Sequence, residues 1–352
     1  MKKINVCIVG AGNISNSRHM PALKKLKNVN VIGVIGNNAK NVNKTVAKWK
    51  IKNSLVIKND TVAAKKQLEK CEWFSDVDAV VIGVPPKLHY PLVKMCLELD
   101  KHTLVEKPMM IDEKECDELI KLAKNKSKQF CVMHNFQYAD QMRKLNEIID
   151  SKKYGDIVSI TEVQFTNRNR RLPEWYNDLP LGLFFDEAAH FIYLLQRHCG
   201  KIKVEDCHAI YDEVKGATPI TLNVDAKAGS VPVHMMLNFN TPICEWYYMV
   251  SFKNVIFIYD FFKDILIKLP TDNEHLSKDI LRNSFKYTFS YWFGFIRNGF
   301  KMITGNLLYG HNIVLGKFVN GIETGNYDES IQAEKGRETV IAMNDIVNEV
   351  NK

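Results

Sequence analysis

Along the first 134 residues, short apolar runs rich in β-branched residues alternate with longer segments whose apolar positions recur at helical spacing. Ile4–Val9 reads as a buried strand and Arg18–Leu26 as the helix that follows. Val29–Ile35 predicts a second strand and Val42–Lys50 a second helix, and residues 78–84 (DAVVIGV) form the clearest strand pattern in the chain. Tyr90–Leu99 and Asp112–Lys124 predict further helices, interleaved with strands at Thr103–Val105 and Phe130–Met133. Strands separated by helices require right-handed crossovers, and hence a parallel sheet covered on both faces. Beyond about residue 135 the pattern changes. After helix Gln141–Lys152 and strand Ile157–Phe165, a helix is expected over Asp186–Leu195. Strand patterns then follow one another at Val204–Tyr211, Ile220–Ala226, Val233–Phe239, Trp246–Phe252 and Val255–Leu269, and Ala333–Val350 is helical. The predicted class is α/β: a doubly wound parallel domain at 1–134, then an α+β domain at 135–352 with an open, mostly antiparallel sheet. With no long linker, the two are expected to pack as one unit around a cleft.

Composition narrows the class without naming a chemistry. Of 352 residues, 46% are hydrophobic and 25% charged, which excludes disorder and fibrous repeats. The net charge of +8 is spread along the chain rather than gathered into the stripe a nucleic-acid binder needs. At most it predicts a mild preference for anionic small molecules. The eight cysteines form no CxxC pair, no leader pattern separates Met1-Lys2-Lys3 from the first strand, and no apolar run is long enough to span a membrane. A cytoplasmic protein with reduced thiols is expected.

Candidate chemistry begins at Gly10-Ala11-Gly12-Asn13-Ile14-Ser15, between the first strand and the first helix. Gly10 permits the tight turn, Gly12 lets backbone amides approach a pyrophosphate, and Ser15 replaces a third glycine with another small residue. At the first strand of a βαβαβ series, this predicts a Rossmann site for NAD(P). A carboxylate normally ends the second strand to hold the ribose 2′-hydroxyl; here the strand runs into Gly36-Asn37-Asn38. Nothing there repels a 2′-phosphate, and Asn37, Asn38 and Lys40 offer it partners, so the balance tilts toward NADP.

Three later segments complete the set. Val84-Pro85-Pro86-Lys87-Leu88-His89 follows the strongest strand, Val105-Glu106-Lys107-Pro108 follows the next, and Gly182-Leu183-Phe184-Phe185-Asp186-Glu187-Ala188-Ala189-His190 lies in the second half. Oxidation of an alcohol by hydride loss needs a base of near-neutral pKa and a cation for the developing alkoxide. His190 suits the first role and Lys107 the second. Asp186, four residues before His190 and on the same helical face, would orient the imidazole or bind a hydroxyl. With these motifs the chain resembles the Gfo/Idh/MocA family of glucose–fructose oxidoreductase and inositol dehydrogenase, from the glycine turn to about His190. The resemblance implies the same roles for Lys107, Asp186 and His190. It also implies cofactor contacts from Gly10, Gly12, Asn13, Ile14, Asn37, Pro85, His89 and Glu106, and a homo-oligomer. Implied substrates are sugars, sugar phosphates, nucleotide sugars or cyclitols.

Departures and alternatives remain. The family's glycine run before the aspartate is reduced to Gly182, so Leu183, Phe184 and Phe185 are expected to reshape the pocket, and Asn135-Phe136 replaces an Arg-Phe pair. Asn135, Arg168 and Trp175 are substrate-binding candidates. The basic run Arg168–Arg171 reads equally as a phosphate clamp or a solvated loop. Asp186 and His190 alone could be a salt bridge or metal ligands, but no further ligands stand at metal-site spacing, and no metal is expected. Phe285–Met302, aromatic and basic, resembles an interfacial helix; a lid or subunit contact is preferred to membrane attachment. Competing with the dehydrogenase are a non-catalytic NAD(P)-binding regulator and a redox-assisted elimination or glycoside cleavage that recycles its cofactor.

Overall fold

The computed structural model describes residues 3–58, 60–170, 172–212, 217–272 and 274–352. Six strands make the first sheet: β1 (Ile4–Val9), β2 (Val29–Gly36), β3 (Asn53–Val56), β4 (Ala79–Ile82), β5 (His102–Val105) and β6 (Phe130–Val132). All pairings are parallel, in the order β3-β2-β1-β4-β5-β6. The apolar runs Val6–Val9 of β1 and Ala79–Ile82 of β4 follow from burial on both faces: Val6, Cys7, Ile8 and all of Ala79–Ile82 have no exposed surface. Strand order reverses beside β1, which opens a crevice beyond the carboxyl ends of β1 and β4. Two of the helices start where a side chain caps them. Asn38 accepts from the Asn41 amide before Ala39–Trp49, and Asp112 from the Lys114 amide before Glu113–Asn125.

Two expectations are corrected here. The helix expected at Arg18–Leu26 is a π-type turn at Ser15–His19 running into a short helix, Met20–Leu23. Pro21 has no N–H to close the regular ladder there. Second, the chain divides into units of Met1–Asn135 with Gly310–Val340, and Phe136–Tyr309 with Ile341–Lys352. A boundary drawn once at 134/135 therefore assigns residues 310–340 to the wrong unit. Helix His311–Thr324 packs on the Ser15–Leu23 turns, and Arg337 pairs with Asp117 at 2.5 Å.

In the second unit, β7 (Ile157–Phe165), β8 (Ile202–Ile210), β9 (Thr221–Ala228), β10 (Val231–Asn238), β11 (Glu245–Phe252), β12 (Val255–Asp260) and β13 (Ile265–Pro270) form one sheet. Its order is β13-β12-β11-β7-β10-β9-β8, with β7 and β10 parallel and the other pairs antiparallel. Burial alternates residue by residue along β9 and β10, the period expected when one face is packed and the other open. The single strand expected at Val255–Leu269 is a hairpin. Asp264 takes a left-handed φ of 48°, and the Asp260 carboxylate accepts from the Lys263 amide at 3.0 Å. The helix expected at Asp186–Leu195 is likewise two, Leu183–Glu187 and Ala189–Cys199, joined by Ala188, which keeps helical dihedrals. Helix Ser277–Ile303 packs on β13.

Candidate functional site

The first centre lies at the end of β1. Gly10 has φ 105°, and a Cβ there would collide with the Gly83 carbonyl, so turn and β4 loop meet backbone to backbone. The buried Ser15 hydroxyl donates to the Gly10 carbonyl at 2.6 Å, closing the turn where a third glycine is usual. A cavity of about 270 Å³ opens beside it, with Gly10, Gly12, Asn37, Asn38, Lys58 and Pro85 among its walls. The side chains of Asn13 and Ile14 are not on the wall; these residues bring their backbone to the start of the Ser15–His19 turn. Lys40 is exposed and also off the wall, whereas Lys58, just past β3, lies on it. The unread β3 supplies that cation.

Beside the pocket is a buried charge cluster. The Glu106 carboxylate accepts from His19 Nε2 at 2.7 Å, and His311 Nε2 stands 3.8 Å away. Burial pushes the Glu106 carboxyl up, but the two imidazoles outweigh it and hold the group well below the usual carboxylate range. Its second oxygen accepts from the Lys107 amide at 3.3 Å, so the charged cluster positions the half-buried lysine's backbone. Glu106 is not on the pocket wall. His134, at the end of β6, is pushed down to about 3 by burial, against which the charge of Glu106 acts.

His89, expected at the cofactor, is fully buried and off the wall. Its ring lies 2.9 Å from the Pro108 carbonyl and 3.0 Å from that of Val84, which ties together the loops after β4 and β5. Burial lowers its pKa. Asn135 is buried at the end of this unit's first segment.

The second centre surrounds Ala188. Gly182 has φ 58°, and a Cβ would collide with Thr218, whose hydroxyl accepts from the Leu183 amide at 2.9 Å. This one surviving glycine starts the helix. Leu183, Phe184 and Phe185, expected to reshape the pocket, are fully buried. Asp186 is half-buried on the first helix and His190 buried on the second. His190 Nδ1 lies 2.9 Å from the Tyr193 hydroxyl, which also accepts from the Phe136 amide at 3.0 Å; the Phe136 ring meets the imidazole edge-on at 4.8 Å. Tyr193, three residues on along the helix, is the partner that spacing could have revealed.

Glu187 is buried among Gln164 (2.6 Å), Thr166 (2.9 Å) and the Arg170 guanidinium. Arg168 is bound to Asp212 at 2.9 Å and to the carbonyls of Phe239 and Thr218. Both arginines thus hold their loop to the sheet and Leu183–Glu187, and Arg168, the expected substrate residue, is engaged there by Asp212 and two carbonyls. Arg171 lies outside the described residues. Trp175 is half-buried on the short helix Glu174–Asp178. Among the described residues no group of three His, Cys, Asp or Glu side chains could hold a metal ion.

Residues 4–134 match the family model described as oxidoreductase family, NAD-binding Rossmann fold. A 1-carboxy-3-chloro-3,4-dihydroxycyclohexa-1,5-diene dehydrogenase of Comamonas testosteroni is 33% identical over 118 residues, covering 33% of this chain and 30% of that protein. Oxidoreductase P35 of Formosa agariphila is 25% identical over 214 residues, covering 57% of this chain and 62% of its own. These matches therefore span less than two thirds of either relative. The WlbA dehydrogenase of Bordetella pertussis, solved with NADH and UDP-GlcNAcA, superposes with a TM-score of 0.77 at 14% identity, over 99% of this chain and 96% of that one. At that identity the likeness shows the fold.

Proposed function

We propose that the chain is an oxidoreductase of the Gfo/Idh/MocA kind, on the match of residues 4–134 to that family's nucleotide-binding model, and that it interconverts a secondary hydroxyl and a ketone on a sugar-like substrate with NADP. The observation that carries this is the pocket beyond β1 and β4, built on the Gly10–Gly83 contact and the Ser15 hydroxyl. The adenosine end supports NADP over NAD: Asn37, Asn38 and Lys58 stand on the wall, and no carboxylate is among the wall residues. A nucleotide held by this pocket would supply the acceptor for the hydride leaving the substrate carbon. His190 is proposed to take the hydroxyl proton. Nε2 is the proposed basic atom, a role that requires Nδ1–H to be donated to the Tyr193 hydroxyl, which has a lone pair for it while accepting from Phe136. Lys107 stabilises the alkoxide, and Asp186 holds a neighbouring hydroxyl or orients the base. Nucleotide sugars lead the proposed substrates, since WlbA was solved with one, followed by sugars, sugar phosphates and cyclitols. A homo-oligomer in the cytoplasm is the setting we propose.

The test is absorbance at 340 nm with a panel of these compounds and either nucleotide. Turnover abolished by Lys107→Ala is the expected result. Nucleotide binding without turnover on any hydroxylated compound would point to a regulator. Product without net reduced nucleotide would point to cleavage with internal recycling.

A further inference from the structure

Helix Ser277–Ile303 has 27 residues, a rod of about 40 Å. Its inner side is fixed to the second unit. A Cβ on Gly294 would stand 2.8 Å from Ile265 of β13, and the buried Asn298 amide donates to the carbonyls of Lys263 (2.9 Å) and Asp264 (2.6 Å). The opposite side is apolar and bare. Leu281, Phe285, Phe289, Trp292, Ile296 and Phe300 recur every three or four residues along one stripe, each at least 57% exposed. A continuous stripe of this size on a firmly docked helix marks an interaction surface.

Charge selects the occupant. The helix carries Lys278, Arg282, Lys286, Arg297 and Lys301 against a single acid, Asp279, which is buried and paired with Arg282 at 3.1 Å. Two copies meeting symmetrically through this stripe would bring cations against cations. A bilayer bearing anionic headgroups instead takes the aromatic and aliphatic side chains into its interface and the basic ones onto its phosphates. No helix among the described residues is long and apolar enough to cross a membrane, so attachment through this helix would lie along the surface.

We infer that helix Ser277–Ile303 docks the protein on an anionic phospholipid surface, with the Leu281–Phe300 stripe in the interface and Lys278 and Lys286 at the headgroups. This reverses the preference for a lid or subunit contact that the sequence supports.

Co-sedimentation of the full chain with vesicles tests it. Binding is expected to phosphatidylcholine vesicles containing phosphatidylglycerol and to fall sharply with phosphatidylcholine alone. Quenching of Trp292 by brominated acyl chains should accompany it. Phe285→Ser, Phe289→Ser and Trp292→Ser together should abolish binding; Lys278→Gln with Lys286→Gln should weaken it by about fivefold per charge. Circular dichroism checks that the variants stay folded. No binding of the intact chain to phosphatidylglycerol vesicles overturns the inference. So does a dimer in sedimentation velocity that the triple serine variant converts to monomer, because the stripe is then covered by a second copy.

Discussion

Replacing Glu106 by glutamine keeps the shape of the side chain and removes the charge beneath Lys107. In the native protein one carboxylate oxygen accepts from His19 at 2.7 Å and the other from the Lys107 amide at 3.3 Å. An amide cannot serve both donors. With its oxygen toward His19 its NH₂ faces the Lys107 N–H, and the flipped rotamer sets NH₂ against Nε2–H. One donor loses its acceptor in either case, and His311 stands 3.8 Å from the same carboxylate. Breaking a buried ion pair by removing one member costs about 3–5 kcal/mol. Because glutamine retains one hydrogen bond, we expect a loss of about 3 kcal/mol in the first unit at pH 7. Urea unfolding gives the total, and hydrogen exchange of β1, β4 and β5 peptides places it. The pH dependence follows from a carboxyl held low by its imidazoles. Its stabilisation is complete above the unfolded carboxyl's pKa of about 4.3 and fades as pH falls through the lower folded value. The gap between native and variant should therefore shrink below about pH 4.3. A loss under about 1 kcal/mol at pH 7 would mean that Glu106 is worth no more than a member of an exposed pair.

Other outcomes follow from the same geometry. Asn37→Asp places a carboxylate at the ribose end of the pocket and should shift preference toward NADH by about tenfold in the ratio of Kd values, read by fluorescence titration. Glu187→Gln leaves Arg170 without its buried counter-charge and should lower stability by about 2–3 kcal/mol in urea melts, with KM rising more than kcat falls if the loop borders the substrate. His102 accepts from the Gln129 amide and is pushed down to about 4, chiefly by burial. Its NMR titration should have a midpoint near that value, and its contribution to stability should decline as pH falls below about 6.5, where the unfolded imidazole takes up its proton first.

What could be read from the chain was local. Ile4–Val9, Ile157–Phe165 and Ala333–Val350 stand where apolar periodicity puts them. Short or polar elements escaped: β3 is only Asn53–Val56, with Leu55 and Val56 its apolar residues, and helix Thr61–Glu69 has a weak apolar face. The β12–β13 turn contains neither glycine nor proline, so nothing in Phe261-Phe262-Lys263-Asp264 announced it. Motif spacing led to Gly10, Gly12, Asn37 and Pro85 on the pocket wall, because the glycine turn and strand ends are contiguous in sequence. His19, Glu106 and His311 are 87 and 205 residues apart in turn. Only the return of residues 310–340 to the first unit assembles them. The partners of Arg168 were not legible, because a basic loop reads the same whether its cations face solvent or, as here, a carboxylate and backbone carbonyls.

We propose that the pocket beyond β1 and β4 binds a nicotinamide nucleotide and prefers its 2′-phosphorylated form. Isothermal titration of the purified chain with NADPH and with NADH measures this directly. One site per chain, NADPH tighter by about tenfold or more, and a preference that narrows in Lys58→Glu are the predicted results. Equal or tighter binding of NADH would show that the pocket does not select a 2′-phosphate, and no binding of either nucleotide that it is not a nicotinamide site.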